Sequence, residues 1–199
     1  MLSSIAKLIL RVGGWTAIGE IPALNKAVFI AAPHTSNWDG FWLLVYRFSF
    51  DIKLRLLAKH TLFWWPLGSI LRGAGAIPID RAHSSSTVQQ LVDLFAKEDH
   101  FFLALAPEGT RKWKPYWKTG FYQIAAAAKV PIVLAFIDYR KKELGIGGQI
   151  DPADGIEISL EKIRAFYAPY TPCRPERMGP IEFPPDPGKN QVDESTKDT

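Results

Sequence analysis

The sequence predicts a single α/β domain, with a mostly parallel or mixed central sheet covered by helices on both faces. Three observations carry this. Short apolar runs of strand length alternate with stretches at helical spacing. The chain has 199 residues, enough for one sizeable core. Its composition is that of an ordinary globular protein, 47% hydrophobic and 22% charged, with no internal repeat and no second core.

The elements follow in order. Leu2, Ile5, Leu8, Ile9 and Val12 recur at helical spacing with Lys7 and Arg11 on the flank, so residues 1–26 are expected to be an amphipathic N-terminal helical segment. Such a stripe either lies in a membrane interface or packs on the core. Ala27–Ala32 reads as a buried strand ended by Pro33, and Trp38–Phe50 as a helix. Leu54–Ala58 and Ala76–Ile79 are further strands, separated by a mixed helical stretch at Thr61–Arg72. Ser84 to Thr87 offer N-cap oxygens to an amphipathic helix at Val88–Asp99. Phe101–Ala106 is the strongest strand. Ala-rich Phe121–Lys129 reads as a helix stopping before Pro131, Ile132–Ile137 as a buried strand, and the Gly-rich 145–148 segment as a turn. The domain is expected over 27–168. From 169 to 199 the chain holds seven of its 15 prolines and ends in polar residues, which predicts a Pro-rich polar tail.

Composition bounds the function. No apolar run approaches the roughly 18 residues that cross a bilayer, and the first residues carry no expected secretory signal. One cysteine, Cys173, excludes an internal disulfide framework and a Cys-based zinc site, and it fits a reducing compartment. Residues 1–150 hold 18 of the 24 Lys+Arg and 10 of the 20 Asp+Glu, so the body is basic and suits an anionic partner. No nucleic-acid motif is present, and nucleic acid is not an expected partner. Phe63-Trp64-Trp65-Pro66 is a second segment of interfacial character.

Three polar motifs interrupt the apolar framework, each at the predicted C-terminal end of a strand, where open α/β sheets place ligands. In His34-Thr35-Ser36-Asn37-Trp38-Asp39, the carboxylate lies in the first turn of a helix, favoured there by the helix dipole. Folded back across the junction, Asp39 would hold one imidazole nitrogen of His34 and leave the other as a general base. The bland reading is a turn and a helix cap. In Glu108-Gly109-Thr110-Arg111, Gly109 permits a crowded backbone and Arg111 offers a planar fork to phosphate or carboxylate. Gly75–Arg81 ends in Asp80-Arg81, a second candidate anion ligand.

In this order and spacing the blocks resemble the glycerolipid acyltransferases, most closely their 1-acylglycerol-3-phosphate (lysophosphatidic acid) acyltransferase group. His34–Asp39 is similar to their H-x-x-x-x-D block, Gly75–Arg81 to the second, Pro107–Arg111 to the P-E-G-T-R block and Val130-Pro131-Ile132 to the fourth. Lys118-Thr119-Gly120 resembles the Lys-x-Gly that follows the third. The resemblance spans about residues 27–140. It implies acyl transfer from a thioester, acyl-CoA or acyl-carrier protein, to the hydroxyl of a lysolipid acceptor, without metal or cofactor. It assigns His34 as base, Asp39 as its orienting partner, and Arg81, Glu108, Gly109, Thr110 and Arg111, with Lys59, to the acceptor site. The N-terminal apolar stripe, the Trp64-Trp65 cluster and the insolubility of lipid products point to a peripheral (monotopic) place on the cytoplasmic face of a membrane. The chain departs from the pattern at Leu134, where the family's fourth block has a second proline, and in Lys112–Trp117, with two Trp and two Lys. These departures leave open a different acceptor, another lysolipid or a non-glycerol alcohol. A non-catalytic membrane-binding protein, a hydrolase using Thr35 or Ser36, and a metal-dependent phosphoesterase on His34, Asp39 and Glu108 are the rival readings.

Overall fold

The computed structural model describes residues 2–73, 75–79 and 84–185. Their strands are β1 (Thr16–Ile18), β2 (Lys26–Ala32), β3 (Leu54–Lys59), β4 (Ala76–Ile79), β5 (Phe101–Leu105), β6 (Ile132–Asp138) and β7 (Glu143–Ile150). They form one seven-stranded sheet in the order β1-β7-β6-β2-β5-β3-β4. All pairings are parallel except β6 with β7, so the sheet is mixed, as expected.

The helices are α1 (Leu2–Val12), α2 (Asn37–Ser49), α3 (Leu67–Gly73), α4 (Ser84–Lys97), α5 (Gly120–Ala128) and α6 (Ile156–Tyr167). Strand alternation divides the core between the two faces. Ala27 and Phe29 of β2 pack with Ala6 and Leu10 of α1 and Val45 and Tyr46 of α2. Val28, Ile30 and Ala32 pack on the other face with Leu91 and Phe95 of α4, Phe121 and Ile124 of α5, and Ile163 and Tyr167 of α6. The Tyr167 hydroxyl lies 3.0 Å from Ile30 O and 2.9 Å from Ala135 O, tying α6 to β2 and β6.

This topology makes a crevice. From β2 the chain crosses by α2 on one face to β3, and from the adjacent β5 it crosses by α5 on the opposite face to β6. The loops after β2 and β5 therefore diverge at the strands' C-terminal ends, where a ligand finds space.

One expectation needs correction. The glycines at 145–148 lie inside β7, not in a turn, and none of Gly145, Gly147 and Gly148 has a positive φ. They make room instead: a Cβ on Gly145 would stand 1.8 Å from Ile18 O of β1, and one on Gly147 2.8 Å from the Phe166 ring. Thr61–Arg72 is divided between a 3₁₀ turn at His60–Leu62 and α3. The apolar stripe of α1 faces outward; the helix buries Ala6 and Leu10, while Leu2, Ile5, Leu8, Ile9 and Val12 are exposed, Val12 at 80%.

The stretch from 169 to 185, expected as part of a polar tail, runs back over the domain. Tyr170, Ile181 and Phe183 pack on the core, Tyr139 N donates to Thr171 O, and Trp117 N donates to Glu182 O. Arg81 and the polar end beyond residue 185 lie outside the described residues. Among those described, no helix is long and apolar enough to cross a membrane.

Candidate active site

The turn between β2 and α2 is built by its own sequence. Ser36 is the N-cap of α2 and Asp39 the third helical residue, and the two form a reciprocal capping box. Asp39 Oδ2 accepts from Thr35 N at 2.6 Å and Ser36 N at 2.7 Å. The same Oδ2 lies 3.5 Å from His34 Nδ1. Helix cap and imidazole partner, set out as alternatives by the sequence, are one carboxylate.

Asp39 is fully buried, while the His34 side chain is 22% exposed. Burial raises the Asp39 pKa, but the imidazole, the Ser36 amide, the Tyr139 hydroxyl and the Thr35 amide outweigh it, and the net shift is downward. Asp39 is therefore a fixed negative charge behind the ring at neutral pH.

The loop after β5 meets this turn because β2 and β5 are parallel neighbours. Glu108 Oε1 accepts from His34 N at 2.8 Å. Glu108 Oε2 is buried and has no hydrogen-bond partner among the described residues. Burial pushes this carboxyl up to about 7, with the Asp39 charge adding to the rise and the hydrogen bonds and His34 opposing it. Gly109 has φ +65°, and a Cβ there would lie 2.7 Å from Lys118 Cε, so the Lys118 stem packs across the glycine. Thr110 Oγ1 accepts from Lys112 N at 3.3 Å, closing a local turn in an exposed run that includes Arg111 and Lys112.

His34, Gly109, Thr110, Arg111 and Lys118 line one cleft of about 1200 Å³. Its walls also include many apolar residues, with Leu43 and Leu44 of α2, Leu54 and Leu56 of β3 and Ala104 of β5 among them. An imidazole and cations sharing one cleft with apolar walls suit an amphiphile with an anionic head.

The structure thus brings together His34, Asp39 and Glu108 by direct contact, and Gly109, Thr110 and Arg111 by the shared cleft. Glu108 faces the His34 backbone and is not among the residues lining the cleft. Lys59 ends β3, its side chain outside the description, and Arg81 is not described. Sequence reasoning missed Tyr139, whose hydroxyl donates to Asp39 Oδ1 at 2.8 Å across 100 residues of chain. It also missed the bond from Arg174 N to Thr35 Oγ1, 3.1 Å. No local pattern signals either contact.

Comparison with known proteins bears on the family and the fold. A 1-acyl-sn-glycerol-3-phosphate acyltransferase of Streptococcus pneumoniae is 28% identical, over 74% of this chain and 62% of that protein. The chain therefore spans less than two thirds of that curated relative. In fold, it is similar to the crystal structure of a 1-acyl-sn-glycerophosphate acyltransferase from Thermotoga maritima, with a TM-score of 0.56 and 18% identity over 84% of this chain and 74% of the other. The sequence model of the Acyltransferase family matches residues 16–137, from β1 to the end of β6 and through both polar loops, and the chain belongs to that family.

Proposed function

We propose that the protein transfers a fatty acyl group from a thioester, acyl-CoA or acyl-carrier protein, to the hydroxyl of a lysophospholipid-like acceptor such as 1-acylglycerol-3-phosphate. The observation that carries the reading is His34 lining the cleft with Asp39 fixed behind Nδ1. The ring nitrogen away from Asp39 takes the acceptor's hydroxyl proton as its oxygen attacks the thioester carbonyl. The tetrahedral intermediate then collapses, the C–S bond breaks, and the imidazolium returns the proton to the departing thiolate. Such a base contributes roughly 10²–10⁴ in rate. Arg111, an exposed residue lining the same cleft, supplies a planar fork for the acceptor phosphate.

Membrane association on the cytoplasmic face, peripheral and monotopic, completes the proposal. It is supported by the outward apolar stripe of α1 and by Trp38, 60% exposed one residue before Asp39. Trp38, Phe41, Trp42 and Trp15 form a chain of ring contacts 5.1–5.6 Å apart, leading from this edge inward. Lys7 and Arg11 flank the α1 stripe and complement anionic headgroups.

The test is mass spectrometry of lipids formed from acyl-CoA and acyl-carrier-protein donors with a panel of lysolipid and simple alcohol acceptors. The reading expects thioester-dependent diacyl product, lost at least 100-fold in His34→Ala. Product from another alcohol alone would move the acceptor class. Absence of any product, with vesicle binding intact, would favour a non-catalytic membrane protein.

A further inference from the structure

The carboxylate that orients His34 is held on one side by its own turn and on the other by a residue remote in sequence. Thr35 N and Ser36 N both bond Asp39 Oδ2, the oxygen that also faces His34 Nδ1. The Asp39 carboxylate is the end of a broad sp³–sp² torsion, and contacts at one oxygen leave it free to swing. The hydroxyl of Tyr139 supplies the bond at Oδ1, 2.8 Å long, and so fixes the plane of the group.

Tyr139 is itself held from three directions. It follows the last residue of β6, the strand paired with β2, so the ends of both strands fix its backbone relative to the turn. Its amide donates to Thr171 O at 2.9 Å. Its ring stands edge-on to Trp15, with centroids 5.1 Å apart and planes at 89°. The preceding Asp138 accepts from Arg140 N, Lys141 N and Thr171 N, which shapes the bend that carries Tyr139. The segment that supplies Thr171 also sends Arg174 N to Thr35 Oγ1, so it grips the His34–Asp39 turn at a second point.

We propose that Tyr139 is a positioning residue for acyl transfer, acting on His34 through Asp39. This rests on the reading of His34 as the base. The hydroxyl does two things for that base. It keeps Oδ2 directed at Nδ1, and its dipole takes up part of the carboxylate charge that the imidazole experiences. The titratable groups facing the hydroxyl are Asp39 on α2, beyond it His34, and Cys173 from the returning segment; His34 also meets Glu108 of the loop after β5, whose carboxyl burial pushes up to about 7 and which is the same in every variant compared. Burial and the Asp39 contact hold the phenol far above its ordinary pKa, so it stays a donor throughout the working range.

The experiment compares wild type, His34→Ala and Tyr139→Phe in the same lysolipid assay, with pH profiles of kcat and kcat/KM. Phenylalanine keeps the ring against Trp15 and removes only the donor. The expected result is a fall in kcat of about tenfold with little change in acceptor KM. The acid limb of kcat/KM moves upward by about half a pH unit, because an unshared carboxylate charge favours the protonated imidazole. A purely structural role would lower the melting temperature and leave the pH profile in place. Should Tyr139→Phe fold poorly, 3-fluorotyrosine at position 139 gives a stronger donor of nearly the same shape and must move the acid limb downward. Inactive His34→Ala beside Tyr139→Phe or fluorotyrosine enzyme with wild-type kcat and profile would overturn this inference and leave the proposed function standing. Full activity in His34→Ala would overturn both.

Discussion

The turn from Pro33 to Asp39 and the loop from Pro107 to Lys118 meet at one cleft, yet they are built in opposite ways. In the turn, Asp39 is fully buried and accepts bonds from Thr35, Ser36 and Tyr139. In the loop, backbone bonds from Gly109 N to Ala106 O, Lys118 N to Pro107 O and Trp117 N to Glu182 O hold the main chain, while the side chains of Arg111, Lys112, Lys114 and Lys118 are exposed. On the proposed reading the turn carries proton transfer, which needs a ring and a charge held to a few tenths of an ångström and so favours groups anchored before any ligand arrives. On the same reading the loop meets an anionic head, which needs charge that can reach and close, as long exposed cations can. The difference separates what each region should do when altered: the turn controls kcat and stability together, the loop controls KM alone.

Replacing Asp39 tests the first half most severely. Asp39→Ala should lose at least 100-fold in kcat and melt several degrees lower, since it strips the cap from α2 and leaves buried donors unpaired. Asp39→Asn should be equally slow but melt closer to wild type, because an amide oxygen still accepts from the Thr35 and Ser36 amides while the charge is gone. Thermal melts beside steady-state rates read both. An Asn variant that keeps wild-type kcat would reduce Asp39 to a helix cap.

Arg111→Ala probes the other half. Acceptor KM for a phosphorylated lysolipid should rise about tenfold with kcat nearly unchanged, because a ground-state contact to phosphate has been removed. The melting temperature should hold, as the side chain is exposed. A fall in kcat alone would place Arg111 among the groups that act only in the transition state, and the contrast between the two regions would fail.

How far the sequence anticipated this depends on whether the determinant is local. The strands β2, β5 and β6 were legible because parallel strands buried on both faces read as unbroken apolar runs. His34 and Asp39 were legible as a pair because one turn contains both. β7 was not, since Gly145, Gly147 and Gly148 answer to Ile18 and Phe166, which lie elsewhere in the chain. Nor was α6, which buries Ser159, Ile163 and Tyr167 while exposing Ile156 and Ile158, so its apolar residues mark no clean face. Tyr139 is the strongest case, for its partner is 100 residues away.

Glu108 joins the two regions, and its ionisation gives the smallest and most specific expectation. It begins the exposed loop yet bonds the His34 amide, and its carboxyl titrates at about 7 against an ordinary value of 4.5. A folded-state pKa raised above the unfolded one means that the native protein binds the extra proton. The stability this contributes is complete below about pH 4.5 and is lost as pH rises through about 7. Glu108→Gln keeps an acceptor for His34 N and cannot ionise, so it escapes that loss. Its melting temperature relative to wild type should therefore climb between pH 5 and pH 8, by an amount that a series of paired melts resolves. A difference that stays flat across that range would mean that Glu108 is already ionised in the folded protein, with its second oxygen solvated. The loop would then carry one more charge toward the cleft, and it would belong with the open region instead of the anchored one.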